Sequence, residues 1–368
     1  MTKAAVCREI GKPLEILDLE LQAPKAGEVR VRLGASGVCH SDLSVQNGTL
    51  LQPVPAVLGH EGAGTVVEVG EGVEHLAVGD HVVISWVPQC GTCYFCERDQ
   101  GELCEVGSAA LITGGLLDGT SRFLLQGQPV LQMAAAGTFS EETVVPAIGA
   151  VKIDPDVPLE QAALIGCGVL TGFGAAVNTA SIRQGDSVAV VGCGGVGLNV
   201  IQGARHAGAE RIIAVDMVDG KLERARQFGA TDTLNAGAGD PVAQVMELTG
   251  GRGADVSFEV IGLEQTIEQS FNMARRGGQT ILVGVPTIET NFTTPAAFGL
   301  VFAEKTVKGC WYGSSNVHRD VPKLARLYME GELMLDELIS REIALEDVNS
   351  AFEAMGSGDV ARSVIKYS

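Results

Sequence analysis

The sequence predicts an α/β chain of two domains: one β-rich, the other a parallel sheet doubly wound by helices. Three observations carry this prediction. The 368 residues exceed what one core comfortably supports, and 46% of them are hydrophobic, enough to fill two. Short β-branched runs bounded by Gly, Pro or Asp dominate the first third. From about residue 185, strand-like and helix-like segments alternate.

In the first third, VRVRL (29–33), GTVVEVG (64–70) and DHVVISWV (80–87) have the β-branched, partly alternating texture of strands. Further on, SVAVVG (187–192) and RIIAVD (211–216) read as buried strands, each followed by a helical pattern: VGLNVIQGARHAG, then DGKLERARQFG. The alternation continues through DPVAQVMELTG, VSFEVIG, LEQTIEQSFNMARR and QTILVGV. The last fifty or so residues supply two helices, VPKLARLYMEGE and LEDVNSAFEAMGSG, and a closing strand, SVIKY. The 48 glycines are spread through turns, with no repeat or low-complexity linker.

Composition narrows the function classes. A formal charge of −19 without a Lys/Arg-rich block disfavours nucleic acid and anionic membranes as partners. No uncharged apolar run of membrane-spanning length is expected. The start, MTKAAVCREIGKP, lacks the basic and apolar regions of a secretory signal. With nine cysteines, this points to a reducing, cytoplasmic setting in which thiols bind metals or lie buried.

After the strand SVAVV comes Gly192-Cys193-Gly194-Gly195-Val196-Gly197, a G-x-G-x-x-G pattern that opens a helix. Gly192 permits the tight turn, Gly194 lets backbone N–H groups approach a pyrophosphate, and Gly197 lets helix pack on strand. The helix N-terminus favours the phosphate charge. Asp216 ends the next strand, where its carboxylate can accept from both ribose hydroxyls and repel a 2′-phosphate; NAD is favoured over NADP. The alternative is a plain βαβ turn with glycine for packing. Cys193 reads as a small filler.

Cys90, Cys93, Cys96 and Cys104 are spaced C-x2-C-x2-C-x7-C. Four thiolates satisfy a tetrahedral zinc and leave no vacancy, so this would be a structural site. An iron–sulfur cluster also uses four cysteines, but the run lacks a C-P ending and the dinucleotide domain needs no one-electron relay. A working zinc needs three ligands and an open position. Cys39 in GVCHSD, His60 in LGHEGAG and Cys167 in LIGCGVLTG are candidates, yet nothing in their spacing connects them. Each alone is equally a buried thiol or a satisfied core histidine.

These motifs together resemble the zinc-dependent, medium-chain alcohol dehydrogenases over nearly the whole chain. GHEGAGTVVEVGEGV (59–73) matches the family's zinc signature, and GVCHSD, the four-thiol lobe, GCGVLTGFGAA, VGCGGVG and ARSVIK fall in the expected order. The resemblance implies a GroES-like, zinc-binding catalytic domain from residues 1–168 and 312–368, and a Rossmann NAD-binding domain from 169–311. It implies two zinc ions per chain, the catalytic one on Cys39, His60 and Cys167 with Glu61 as a transient ligand. Asp42 would orient His60, and Ser41 would accept the substrate proton, although Ser and Asp here are also ordinary helix-start residues. His40 and Arg362 would contact the pyrophosphate, Lys221 the adenosine ribose, and Thr171 and Val285 the nicotinamide end. Some relatives carry a histidine five residues after the first zinc cysteine; this chain has Ser44, so the proton passes to water or another base. A homodimer or homotetramer is implied, joined through the strand region near 298–313.

DGTSRF (118–123) and AAVNTA (175–180) look like the branch holding the glutathione-dependent formaldehyde dehydrogenases. That branch's arginine after the fourth lobe cysteine is absent, with Ser108 in its place, and GTLLQPVPAV (48–57) lacks its acidic residues. Leu50, Trp86 and Trp311 would instead line an apolar pocket, unless the tryptophans serve packing. The expected reaction is reversible hydride transfer between NAD(H) and a medium-sized primary alcohol, aliphatic or aromatic, and its aldehyde. A thiol-adduct formaldehyde dehydrogenase is the alternative, and a silent dinucleotide-binding relative the third reading.

Overall fold

The computed structural model describes residues 1–357 and 361–367. The chain divides after Gly168 and after Ser315. Met1–Gly168 with Asn316–Ser368 form one unit, and Val169–Ser315 the other. The second crossing lies four residues beyond the boundary at residue 312 that the sequence predicts.

The first unit is built from two β systems. Thr2–Cys7, Glu15–Leu21, Phe123–Leu125, Gln128–Gln132 and Ala56–Val57 close into a small barrel, a feature not anticipated from the sequence. A seven-stranded sheet runs in the order Ala150–Lys152, His81–Ile84, Glu61–Val69, Glu28–Val38, Arg362–Lys366, Ile339–Ile343, with Glu142–Pro146 also pairing Glu28–Val38. The long strand Glu28–Val38 is central, pairing antiparallel with three neighbours. Its residues alternate between an apolar core of Val29, Val31 and Leu33 and the exposed Arg32. A second core, including Leu58, Phe139, Phe352 and Ile365, packs beneath Leu50 and Trp86. The helix Val348–Ser357 contributes Val348, Ala351 and Phe352 to that core; Gly358, the last residue of the helix read from LEDVNSAFEAMGSG, lies outside the described residues.

In the second unit, six parallel strands are ordered Asp232–Asn235, Arg211–Asp216, Ser187–Val191, Ala254–Glu259, Ala274–Leu282, Thr306–Gly309. The chain runs outward from Ser187–Val191 on one side, then returns to build the other. The topological switch point therefore lies between Ser187–Val191 and Ala254–Glu259, where such sheets bind ligands. Two segments differ from the sequence reading. The ARR of LEQTIEQSFNMARR leaves the helix at Met273 and opens the strand Ala274–Leu282, since Ala274 is already extended. Within 298–313, only Thr306–Gly309 is strand, and Ala296–Val301 is π-helical.

One helical run, Leu159–Thr179, is long and apolar enough to cross a membrane, contrary to the sequence reading. However, 83% of its most apolar window is buried inside the protein, as in a core helix. It is broken by two π-helical segments, Ile165–Val169 and Ala175–Thr179.

Candidate active site and metal centres

Cys39, His60, Glu61 and Cys167, separate in sequence, are brought together by the first unit. One donor atom from each lies within 4.8 Å of the others, and all four residues are buried. Different elements deliver them. Cys39 caps the short helix His40–Gln46, His60 precedes the strand Glu61–Val69, and Cys167 sits in the π-helical segment Ile165–Val169. Such π-bulges re-aim side chains that a regular helix would point elsewhere.

Asp42, fully buried, ties three of these parts to one carboxylate. Its Oδ2 accepts from the Cys39 backbone N–H at 2.9 Å. Its Oδ1 accepts from the Gly59 N–H at 3.1 Å and from His60 Nδ1 at 2.9 Å. Asp42 is thus a helix-start residue and an orienting residue at once. Because a carboxylate only accepts, His60 carries its proton on Nδ1 and turns the Nε2 lone pair inward. Burial acts to lower the imidazole pKa, but the Asp42 carboxylate outweighs it and holds the ring well above its ordinary value. That basicity suits a metal ligand.

His60 Nε2 and Glu61 Oε1 are buried without a hydrogen-bond partner among the described residues. Two orphaned acceptors facing two thiols are costly unless a cation joins them. The Cys167 side chain, with His60 and Arg362 beyond it, holds the Cys39 thiol well below its ordinary value against the effect of burial. The Arg362 guanidinium is buried and pairs directly with Glu61. Burial pushes the Glu61 carboxyl up to about 7, with Arg362 pulling against it. The donor set of two sulfurs and one imidazole, with Glu61 in reserve, fits zinc with a vacancy. The Glu61 pairing of Arg362 was not foreseen from the sequence.

Cys90, Cys93, Cys96 and Cys104 form a second cluster, again within 4.8 Å of one another. The sulfurs of Cys90 and Cys96 are 4.0 Å apart, and those of Cys93 and Cys104 are 3.9 Å apart. A disulfide would bring them to about 2 Å. A tetrahedron with Zn–S bonds of about 2.3 Å has edges near 3.8 Å. The cage therefore suits one ion and has no room for a multi-iron cluster. Cys104 is further held by N–H donors from Cys90 and Gly107 at 3.4 and 3.5 Å. All nine cysteines are free.

The other expected residues are spread over both units. Ser41 Oγ is 3.9 Å from the Cys39 sulfur and half-buried, while His40 is exposed. Trp86 stands edge-on to His60, with ring centroids 6.4 Å apart, and Leu50 packs on the same core as Trp86. Trp311, Thr171 and Val285 belong to the second unit.

In that unit the Gly192 turn has φ = +101°, and a Cβ there would lie 2.6 Å from Ile261 Cγ1. At Gly197 a Cβ would fall 1.9 Å from the Gly192 carbonyl, so helix and strand meet there only because the side chain is absent. A Cβ on Gly194 would meet nothing within 4 Å, leaving open space before the N-terminus of the helix Gly195–His206. Asp216 accepts from the Cys193 N–H at 2.9 Å and the Val218 N–H at 3.0 Å, which orients its carboxylate and leaves lone pairs for a diol. Lys221 lies in the next helix, Asp219–Gln227. Cys193 is buried, and burial raises its thiol far above the reactive range, consistent with a filler.

Comparison with known proteins agrees with this arrangement. Residues 25–155 match the alcohol dehydrogenase GroES-like domain family, and residues 195–330 the zinc-binding dehydrogenase family. The chain is 42% identical over 369 residues to the NDMA-dependent alcohol dehydrogenase of Amycolatopsis methanolica, covering 100% of this chain and 99% of that one. It is equally 42% identical to an S-(hydroxymethyl)glutathione dehydrogenase of Synechocystis sp., covering 100% of both. The crystal structure of benzyl alcohol dehydrogenase from Acinetobacter calcoaceticus superposes with a TM-score of 0.94 at 32% identity, covering 100% of this chain and 99% of that one. With full-length relatives at this identity and zinc-type donor sets in the expected motifs, the chain belongs to the zinc-dependent medium-chain alcohol dehydrogenases.

Proposed function

We propose that the protein interconverts a medium-sized primary alcohol, aliphatic or aromatic, and its aldehyde, with NAD(H) as the hydride carrier. The observation that carries this is the orphaned, buried Nε2 of His60 beside Cys39 and Cys167: a three-ligand site with a position to spare. Bound there, zinc would supply Lewis acidity, and NAD in the second unit would supply the hydride acceptor.

The chain's own residues do the rest. Asp42 keeps the His60 lone pair inward and fixes the Cys39 backbone. Glu61 is the reserve ligand, and Arg362 offsets its charge. Ser41, beside the Cys39 sulfur, takes the alcohol proton and passes it to water or another base, since Ser44 replaces the histidine of some relatives. Trp86 and Leu50 form an apolar wall. Asp216 selects the unphosphorylated ribose, with Lys221 nearby, and Gly192, Gly194, Gly195, Val196 and Gly197 shape the pyrophosphate turn. Thr171 and Val285, in that same unit, meet the nicotinamide end. The two units then correspond to a catalytic and an NAD-binding domain.

We further propose a cytoplasmic homo-oligomer. Nine free thiols suit a reducing compartment, and the edge strand Thr306–Gly309 lies near exposed Phe298 and Val301 in sequence.

The test is NADH formation with benzyl alcohol or hexanol, set against formaldehyde mixed with glutathione or another small thiol. Turnover of the free alcohols is expected. Turnover of the thiol mixtures alone would transfer the assignment to a thiol-adduct dehydrogenase, the activity named for the Synechocystis relative. Repeating the panel without added NAD shows whether the carrier is exchanged or retained.

A further inference from the structure

The segment 59–62 carries two of the four donors of the open site, and it is gripped from one side by Thr138. Gly59 has φ = +88°, and a Cβ there would lie 2.5 Å from the Phe139 nitrogen and 2.6 Å from Thr138 Oγ1. At Gly62 a Cβ would lie 2.6 Å from Thr138 Cγ2. The hydroxyl of Thr138 therefore faces one of the glycines that bracket His60 and Glu61, and its methyl faces the other. The backbone tightens the grip: the Thr138 N–H donates to Gly59 O at 3.0 Å, and the Phe139 N–H to Leu58 O at 2.9 Å.

Thr138 is fully buried, so its hydroxyl must be used. It lies 2.7 Å from Ser36 Oγ, which donates its proton to the Glu61 carbonyl at 2.9 Å. A hydroxyl has one proton, so Thr138 is the donor to Ser36. The result is a directed chain, Thr138 to Ser36 to the Glu61 carbonyl, in which each bond polarises the next. On the outer side, Tyr367 donates its phenol to the Thr138 carbonyl at 2.7 Å.

We propose that Thr138 is a positioning residue for the open metal site, holding the His60–Glu61 segment through the two flanking glycines and the Ser36 hydroxyl. This rests on the reading that Cys39, His60 and Cys167 hold zinc. A segment set in place before the ion arrives gives up less freedom on binding it. Loss of such outer support weakens metal sites by roughly 10–100-fold.

Thr138→Val keeps the shape and removes the hydroxyl, whereas Thr138→Ser keeps the hydroxyl. The two-zinc enzyme is mixed with a chromophoric chelator and the release of each ion followed, the four-thiol site serving as the reference within the same molecule. One ion of the two is expected to leave about tenfold faster from Thr138→Val. The other should keep its wild-type rate, and Thr138→Ser should restore the first. In the cobalt-substituted enzyme, the visible ligand-field bands should shift in Thr138→Val but not in Thr138→Ser. Wild-type release of both ions, or equal acceleration of both together with a lowered Tm, overturns the proposal. Ser36→Ala cuts the same chain from the strand Glu28–Val38; wild-type release there overturns the proposal even if Thr138→Val does not fold. A wild type holding one zinc, indifferent to Cys167→Ala, would instead remove the zinc reading itself.

Discussion

Replacing Asp42 by asparagine changes almost no volume, yet it leaves the carboxylate's three donors facing an amide that cannot accept from all of them. In one amide orientation the carbonyl oxygen serves Gly59 and His60, and the NH2 confronts the Cys39 N–H. In the other, the NH2 confronts Gly59 and His60. His60 escapes that clash only by moving its proton to Nε2, the atom that faces Cys39 and Cys167 in the proposed zinc site. Either way at least one buried donor loses its partner, costing about 1–3 kcal/mol. Zinc at the open site should be held roughly 10–100-fold more weakly. Guanidinium unfolding with and without added zinc reads the first quantity, and residual zinc after dialysis against graded chelator reads the second. An Asp42→Asn enzyme as stable as wild type, keeping its zinc at the same chelator concentration, would refute the three-way clamp.

Other perturbations discriminate between the remaining assignments. Asp216→Gly should cost about 1.5–3 kcal/mol of NAD binding, at least tenfold, and relax discrimination against NADP, measured by coenzyme titration; an unchanged preference contradicts the ribose role. Cys104→Ala opens the closed cage and should lower Tm, with kcat/KM of the folded fraction unaffected; a selective loss of kcat would give that site a chemical role. Burial acts to raise the Asp255 pKa, but the Ser187 N–H and hydroxyl and the Arg275 guanidinium hold the carboxyl below its ordinary value. Its stabilisation is therefore complete above the unfolded value of about 3.9 and is lost as pH falls through the lower folded value. Asp255→Asn should flatten the fall in denaturation midpoint over that acid range; an unaltered profile excludes the contribution.

The range of each interaction decided how legible it was in the sequence. The four-thiol cage was legible because its ligands lie within fifteen residues, so spacing alone encodes the coordination. The parallel sheet was legible because strand and helix periodicities are local. Cys39, His60 and Cys167 had no such signal, since long-range pairing of Glu28–Val38 with Glu61–Val69 and a π-bulge bring them together. Glycines bracketing His60 and Glu61 were visible as a motif, but not the threonine that makes Gly59 and Gly62 intolerant of a side chain. The Arg362–Glu61 pair joins residues 301 positions apart, and neither residue alone names its partner. The barrel is not legible in the sequence because its strands are as short as two residues.

The π-helical segment that holds Cys167 also limits how the site could be moved. Each extra residue in a helical ladder rotates the downstream residues by about 100°, and isolated helices relax to the regular repeat. An excised 159–179 peptide would thus turn its cysteine to a different face. The thiol's direction is stored in the packing around the helix, so a graft that copies only the sequence of 159–179 into another scaffold should bind no metal through that thiol.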